Sequence, residues 1–418
     1  MRTRLSLFSL VLAACLLLSL STVWAADLSG KSSTYLRLRE NLFGDEVAQA
    51  YEYLRFNVED IGGKDLSLYA DGWIRQDLTN NAGSDTSFDQ DLDYAYFRWG
   101  GTWGSSYGKG LIDAGRVLVF EGVASEQIDG VYAKRTLWKG MGVSLFGGVP
   151  VDADFDDRTG DSIYGGRLYR ESPGNYGVGV SFLNEENDSR EFRKEAGVDL
   201  WFRLWDSTFL QGISSYNART GEWMEHSYNL SANPFGGLRL NGEFSYIDYE
   251  NFFQATDLSA FDFAHINMAE TLTILGASAS YPITGSVTGT VAYKNYNYDI
   301  AGSADYYGAD LTFVEGKLVA GASFYRMDGG ADDLRYYQYR VFASKRVGLA
   351  DLTVDFLDVD YDRAINGKDN AFTIVGAAGY DLSPRYRVGA NLEYSENPYF
   401  DEELKALLKF IYSFGKEA

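Results

Sequence analysis

The sequence predicts an all-β chain that closes into one transmembrane, antiparallel, up-and-down β-barrel of about 22 strands, within a range of roughly 18 to 24. Three observations carry this expectation. Tyr (31), Phe (26) and Gly (45) are abundant and Pro is scarce (6), a composition that favours strands and turns and seldom breaks a ladder. From Lys31 onward the dominant hydrophobic period is two, the mark of strands with two unlike faces. The connections alternate between tight turns and longer polar segments.

The chain opens with MRTRLSLFSLVLAACLLLSLSTVWA, in which Arg2 and Arg4 precede an apolar stretch and then small residues. That order predicts an export signal cleaved after Ala25, leaving 26–418 as a single barrel domain. Cys15, in LAAC, looks like a lipoprotein processing site, but the apolar run continues through LLLSLS, which favours the plain export signal. Beyond it no apolar run is long enough for a membrane-spanning helix. Cys15 is the one cysteine, so the cleaved chain has no disulfide, thiolate metal site or haem-attachment sequence, and no cofactor of its own is expected. A formal charge of -22 speaks against a nucleic-acid partner.

Elements then follow in order. STYLRLR (33–39) is the first strand, with Thr34, Leu36 and Leu38 on one face. Tight turns are expected at 60–64, 138–142, 171–175, 205–207, 233–237, 282–286, 314–317, 347–350 and 381–385. Longer polar or acidic connections are expected at 79–91, 152–162, 184–192, 249–267, 328–335 and 361–370. Between them lie alternating runs. EAGVDLWFRLW opposes Ala196, Val198, Leu200 and Phe202 to Asp199, Trp201 and Arg203. GGLRLNGEFSYIDY opposes Leu240, Phe244 and Tyr246 to Asn241, Glu243 and Ser245. KLVAGASFYR and RYRVGANLEYSE repeat the pattern, the latter with Val388 and Leu392 against Asn391 and Glu393. Only 100–140 is blurred. The closing LKALLKFIYSFGKEA places Leu408, Phe410, Tyr412 and Phe414 on one face and Lys409 on the other.

A barrel this wide has no packed centre, so its faces meet different solvents. Charges at the bilayer midplane cost roughly 2–4 kcal/mol each, which sends the apolar face to lipid. Arg37, Arg55, Asp71, Arg75, Arg167, Asp199, Arg203, Glu243, Lys294, Arg340, Asp355, Asn391, Glu393 and Lys409 are then expected to face the lumen. Both signs are present, so no strong ion filter is expected. Trp103, Trp138, Trp205, Tyr281 and Phe414 fall near tight turns, where they suit an interfacial aromatic belt.

With its export segment, alternating strands, acidic loops and aromatic last strand, the chain resembles the porin class. The stretch from Gly115 to Tyr132, GRVLVFEGV…IDGVY, is also similar to the Gly-Arg and Asp-Gly stretches of many porins, which would turn Arg116 toward the channel. The resemblance implies a bacterial outer-membrane location, contact with lipid and lipopolysaccharide, insertion by the barrel assembly machinery and passage of hydrophilic solutes. It also implies a periplasmic N-terminus and extracellular long loops. Leu408, Phe410, Tyr412 and Phe414 resemble the aromatic terminal strand that the assembly machinery recognises, with Gly415 to Ala418 following the usual terminal Phe.

About 22 strands imply a backbone diameter of about 45 Å. Either loops such as 79–91 and 249–267 constrict so wide a hole, or a partner fills it. The second case is similar to the barrels of porin–cytochrome conduits in metal-respiring bacteria, which sheathe a multihaem cytochrome. A barrel enzyme acting on lipid is the remaining alternative. His226 stands beside Glu225 and Ser227, but neighbours along a strand point to opposite faces and form no dyad. His265 lies in the longest loop, and no enzymatic activity is expected. Asp152, Asp154 and Asp156 copy the first EF-hand ligand positions, yet Asp157 and Ile163 stand where Gly and Glu are required, so no metal site is assigned.

Overall fold

The computed structural model describes residues 26–40, 45–79, 88–102, 109–151, 160–253 and 267–415. Within them lie 22 strands. The first ten are β1 (Asp27–Glu40), β2 (Glu46–Glu59), β3 (Leu66–Asp77), β4 (Phe88–Thr102), β5 (Lys109–Glu121), β6 (Ala124–Thr136), β7 (Met141–Pro150), β8 (Ser162–Ser172), β9 (Tyr176–Asn187) and β10 (Arg190–Trp205). Then come β11 (Thr208–Asn217), β12 (Glu222–Ala232), β13 (Arg239–Asp248), β14 (Thr271–Pro282), β15 (Val287–Tyr298) and β16 (Gly302–Glu315). The last six are β17 (Leu318–Gly329), β18 (Arg335–Val347), β19 (Ala350–Ile365), β20 (Lys368–Ser383), β21 (Tyr386–Asn397) and β22 (Phe400–Phe414). Each pairs antiparallel with the next, and β22 pairs with β1, so the sheet closes into a barrel. The seam sets Thr34 opposite Phe410 and Leu36 opposite Leu408.

Directly opposed residues in a ladder share a face, so the register sorts side chains around the whole barrel. One face is apolar and open to the surroundings, with Leu145 at 56%, Val291 at 59% and Val341 at 57% exposure. The other carries ion pairs and lines a concavity between Tyr35, Arg37, Tyr53, Arg55, Asn391 and Glu393. The charged face is therefore the inner one. Exposed Trp138, Trp205, Tyr281 and Tyr386 border the outer apolar band toward the tight-turn end. Tyr293, Tyr307, Tyr337 and Tyr339 border it toward the other end. Two aromatic belts enclosing an apolar band match the interfaces and core of a bilayer.

Three expected long connections correspond to wide gaps between strands, at 78–87, 151–161 and 249–270, all on one end of the barrel. Two others do not. The 184–192 segment is strand on both sides of a turn at Asp188–Ser189, and 361–370 is strand around Asn366–Gly367. Positive φ at both turn residues (50° and 61°, then 50° and 85°) gives these hairpins the backbone twist that lets antiparallel strands continue. The 328–335 segment likewise shrinks to a short connection with a single 3₁₀ turn at Asp332–Leu334. Polar composition misled here because strands that rise past the lipid no longer need an apolar outer face.

The face assignment makes a graded prediction. Leu311→Arg, on the outer face, should destabilise the barrel by about 2–4 kcal/mol, whereas Thr312→Arg, on the inner face, should cost less than about 1 kcal/mol. Urea unfolding of each variant folded into lipid vesicles gives both numbers.

Candidate functional site

The blurred stretch at 100–140 is where the barrel departs from a plain cylinder. β4 and β5 pair only from Thr102 and Lys109 to Ala95 and Arg116. Above that point β4 stays paired with β3 as far as Phe88, and β5 with β6 as far as Glu121 and Ala124. The two neighbours part at Gly115, whose φ of +134° is closed to other residues and where a Cβ would sit 2.3 Å from the Ala95 carbonyl oxygen. From there the β5–β6 hairpin turns into the barrel.

Its tip reaches the inner wall several strands away. The Val123 N–H donates to Ser181 Oγ on β9 at 3.0 Å. Glu126 pairs with Arg193 on β10 at 2.8 Å, and Glu121 with Arg167 on β8 at 3.5 Å. The approach is close enough to demand glycine on both sides. A Cβ on Gly122 would lie 2.1 Å from Ser181 Oγ, and one on Gly197 would lie 2.3 Å from Val123 Cγ1. Between hairpin and wall lies the one buried apolar cluster of the described residues, Val117, Val119, Ala124 and Ile128 against Phe146, Ile163 and Leu183, each 5% exposed or less. Burying such side chains contributes about 1.5–3 kcal/mol apiece, enough to hold the hairpin in place.

Charge completes the anchor. The Glu121 carboxylate, almost fully enclosed, accepts from the Tyr132 hydroxyl at 2.5 Å and the Lys134 ammonium at 2.8 Å. Arg167 reaches Glu121 while holding Asp199 through Nε and Nη2 at 2.8 and 2.5 Å. Arg193 is shared among Glu126, Glu185 and Glu195. Removing one partner from such a network would leave an enclosed charge uncompensated.

The other side of the hairpin looks across the lumen. It presents Leu118 and Phe120, the latter 71% exposed, with Arg116 and Asp129 joined by two hydrogen bonds of 2.8 and 3.0 Å. Arg116 Nη1 also donates to the Leu92 carbonyl at 3.0 Å, and Gln127 Nε2 to the Asp93 carbonyl. These side chains cap the β4 edge that β5 has abandoned.

By register, Arg37, Arg55, Asp71, Arg75, Arg167, Asp199, Arg203, Glu243, Lys294, Arg340, Asp355, Asn391, Glu393 and Lys409 share the ion-paired face, whereas Arg116 has the opposite parity and sits on the inward-turned hairpin. Several are brought together as pairs: Arg55 Nε with Asp71 at 2.6 Å, Arg75 with Asp89 at 3.0 Å, and Lys294 with Glu243 at 2.6 Å. Arg340 holds Asp355 through two bonds of 2.9 and 2.5 Å, and Glu393 meets Lys405 at 3.2 Å. Asn391 accepts from Lys409 at 3.2 Å in the amide orientation that satisfies both its ends. Arg37 stands in the concavity beside Tyr35 and Tyr53, and Arg203 lies opposite Phe209 toward the tight-turn end. Leu408, Phe410 and Tyr412 lie on the outer face, opposite Leu36, Thr34 and Ser32.

Sequence reasoning missed three features. The hairpin constriction is a pair of strands rather than a loop, and Glu121, Tyr132, Lys134 and Arg193 were not singled out. Aromatic residues also populate the inner face. Tyr35, Tyr51, Tyr53 and Trp73 form a contiguous set with ring centroids 5.4–6.5 Å apart, and Tyr306 stacks on Tyr325 at 4.8 Å. The signal was present: Tyr51 and Tyr53 share the parity of Arg55. Finally, His226 does meet a serine, on the adjacent strand. Its Nδ1 lies 2.8 Å from Ser214 Oγ, itself 2.6 Å from the Tyr228 hydroxyl. Ser214 is only 7% exposed and its hydroxyl is held between two partners, which makes this a satisfied polar contact rather than an available nucleophile. His265, Trp103 and Asp152, Asp154 and Asp156 lie outside the described residues.

No protein-family model and no curated protein matches the chain. Solved structures do. The ferric enterobactin receptor of Pseudomonas aeruginosa aligns with a TM-score of 0.55 at 10% identity, over 93% of this chain and 81% of the receptor. OpdO of the same organism aligns at 0.48 and 11% identity over 93% and 97%, and OccK5 (OpdH) at 0.44 and 10% identity over 94% and 98%. At such identities the likeness to the receptor establishes the fold, a closed barrel of the outer-membrane type.

The docked hairpin predicts a crosslink. Val123→Cys combined with Gly197→Cys should form a disulfide on mild oxidation, because a Cβ at Gly197 points straight at Val123 Cγ1, the place the new sulfur at position 123 would take, and a shift of the tip by under about 1 Å seats the bond. Loss of free thiol together with a mobility shift on non-reducing gels reports it, and persistent free thiols would place the tip elsewhere.

Proposed function

We propose that the protein is an outer-membrane channel for hydrophilic solutes whose aperture is set by the inward β5–β6 hairpin. The observation that carries this reading is the docking of the hairpin tip on the inner wall at Ser181, Arg167 and Arg193. It narrows a lumen that would otherwise be a wide leak, and it leaves a polar path lined by the inner-face pairs. Arg37, Arg203 and Lys409, with the paired Arg55, Asp71, Arg75, Asp89, Glu243, Lys294, Arg340, Asp355 and Glu393, are the groups a passing solute would meet. Because most of these charges neutralise a neighbour, the channel should discriminate by size and hydrogen bonding more than by net charge.

The orientation follows from the end that bears the wide connections. With the N-terminus periplasmic, the 78–87, 151–161 and 249–270 connections face outward from the cell and the tight turns face the periplasm. Leu408, Phe410, Tyr412 and Phe414 then form the strand offered to the assembly machinery, and lipopolysaccharide meets the outer face at the wide-connection end. The multihaem-cytochrome alternative rests on a wide barrel with no element to fill its lumen. The hairpin supplies such an element and removes that reason.

Planar-bilayer recording of the purified barrel tests the proposal. The parent should conduct steadily without a partner, and Gly122→Leu, which overpacks the tip by about 1–3 kcal/mol, should raise the unit conductance or add open-channel noise. A barrel that is electrically silent, or that purifies only with a haem-bearing partner, would overturn it.

A further inference from the structure

One stretch of the inner wall is aromatic as well as ionic. Tyr35 on β1, Tyr51 and Tyr53 on β2 and Trp73 on β3 share the face of Arg55 and Asp71 by register. Their ring centroids lie 5.4 Å apart for Tyr35–Tyr53, 6.1 Å for Tyr51–Tyr53, and 6.2 and 6.5 Å from Tyr51 and Tyr53 to Trp73. Past the Arg55–Asp71 pair, Tyr94 and Tyr96 on β4 and Tyr69 on β3 extend the row, at 5.8 and 5.4 Å from ring to ring. Each of these rings is half-buried and keeps part of its surface toward the lumen. The bilayer interface explains aromatic residues on the outer face, but a solvated inner wall gives no such reason.

The row borders a concavity of about 750 Å³, the size of a small-molecule site. The concavity begins at β20, half the 22-strand ring away from β9, and runs through β22 to β4, so the docked hairpin leaves it uncovered. Val375 and Leu407 add aliphatic surface. Around them Lys31, Arg37, Arg55 and Lys405 stand among Asp71, Asp93 and Glu393, a near balance that favours neither an anion nor a cation. Such a rim suits hydroxyls, each of which both donates and accepts. Arg37 has no ion-pair partner among the described residues and keeps its donors for a ligand. A sugar ring meets both demands. Its flat C–H side is drawn to the negative face of an aromatic ring, while the hydroxyls at its edge reach the flanking charges. The row is longer than one such ring, and its spacing is close to the length of one pyranose unit. We infer that the β1–β4 inner wall is a binding track for a neutral oligosaccharide, stacked on Tyr35, Tyr53 and Trp73 and held at its hydroxyls by Arg37, Arg55–Asp71 and Lys405–Glu393. The inference rests on the channel reading for the solute's passage, and the binding itself is tested apart from it.

Maltohexaose and cellohexaose serve as neutral probes, in single-channel recording and in equilibrium dialysis against the detergent-solubilised barrel. At least one of them should interrupt the parent's current reversibly and be retained in dialysis. Polyethylene glycol of equal mass, neutral but without rings, and phenylacetate, a ring that carries an anion, should each bind about tenfold more weakly or worse. Tyr53→Ala and Trp73→Ala should each weaken sugar retention about tenfold, while Tyr53→Phe, which keeps the ring, should stay within about threefold of the parent. Heat-modifiable migration on gels checks that each variant is a folded barrel. A parent that conducts but neither retains nor is interrupted by either sugar would overturn the inference and leave the channel standing. Phenylacetate or polyethylene glycol binding as tightly as the sugars, or retention unmoved in both folded alanine variants, would also overturn it. A silent barrel that still retains sugar, and loses it in the alanine variants, would support the track and overturn the channel reading alone.

Discussion

Everything in this molecule depends on one requirement: inside a bilayer each backbone N–H and C=O must find its partner within the protein. A sheet meets that requirement only by closing, and this one closes by pairing its last strand with its first. The seam repeats the rule of every other ladder in the barrel. Among the described residues the ladder opens between β4 and β5 above Ala95 and Arg116. There the orphaned carbonyls of Leu92 and Asp93 are satisfied by Arg116 and Gln127, side chains of the strands that moved away. The defect carries its own repair.

In the proposed channel that defect is also the device that sets the aperture. A hairpin freed from one neighbour can turn inward, and Gly115 permits the turn. Once inside, its apolar side finds a matching patch on β7–β9, and its acidic residues find Arg167 and Arg193 on the wall. Anchoring is therefore distributed over packing, hydrogen bonds and ion pairs. A rigid partition results, where a loop of the same length would pay far more conformational entropy to hold one position. Across the remaining lumen, ion pairs such as Arg340–Asp355 and Arg55–Asp71 hold long side chains against the wall, which keeps the path open. Each pair costs little because the inner face is solvated.

Much of this was legible in the sequence because alternation is a direct record of two solvents. Leu240 and Phe244 against Asn241 and Glu243 fix a face without any knowledge of the neighbours, and the parity of Lys409 and Phe410 does the same for the closing strand. Strand number followed from counting turns. What failed was anything that breaks parity or depends on contacts across the lumen. Over 115–129 the side that elsewhere meets lipid turns inward with the hairpin, so alternation is blurred there and Leu118 and Phe120 look into the lumen. The segments at 184–192 and 361–370 read as loops because strands above the lipid lose their apolar face. Tyr51 and Tyr53 were passed over because aromatic residues were sought only at the belts. Ser214 and His226 meet across a ladder whose register no single stretch of sequence reveals.

The central claim is that the β5–β6 hairpin lies inside the barrel, against the wall of β8–β10. Pulsed electron–electron distance measurement in outer-membrane vesicles addresses it most directly, with spin labels at Phe120→Cys on the hairpin and Trp201→Cys on the inner face of β10. The account predicts a single, narrow, short distance, unchanged by removal of the surrounding lipopolysaccharide. A long or broad distribution, as for a hairpin standing above the rim, would contradict it.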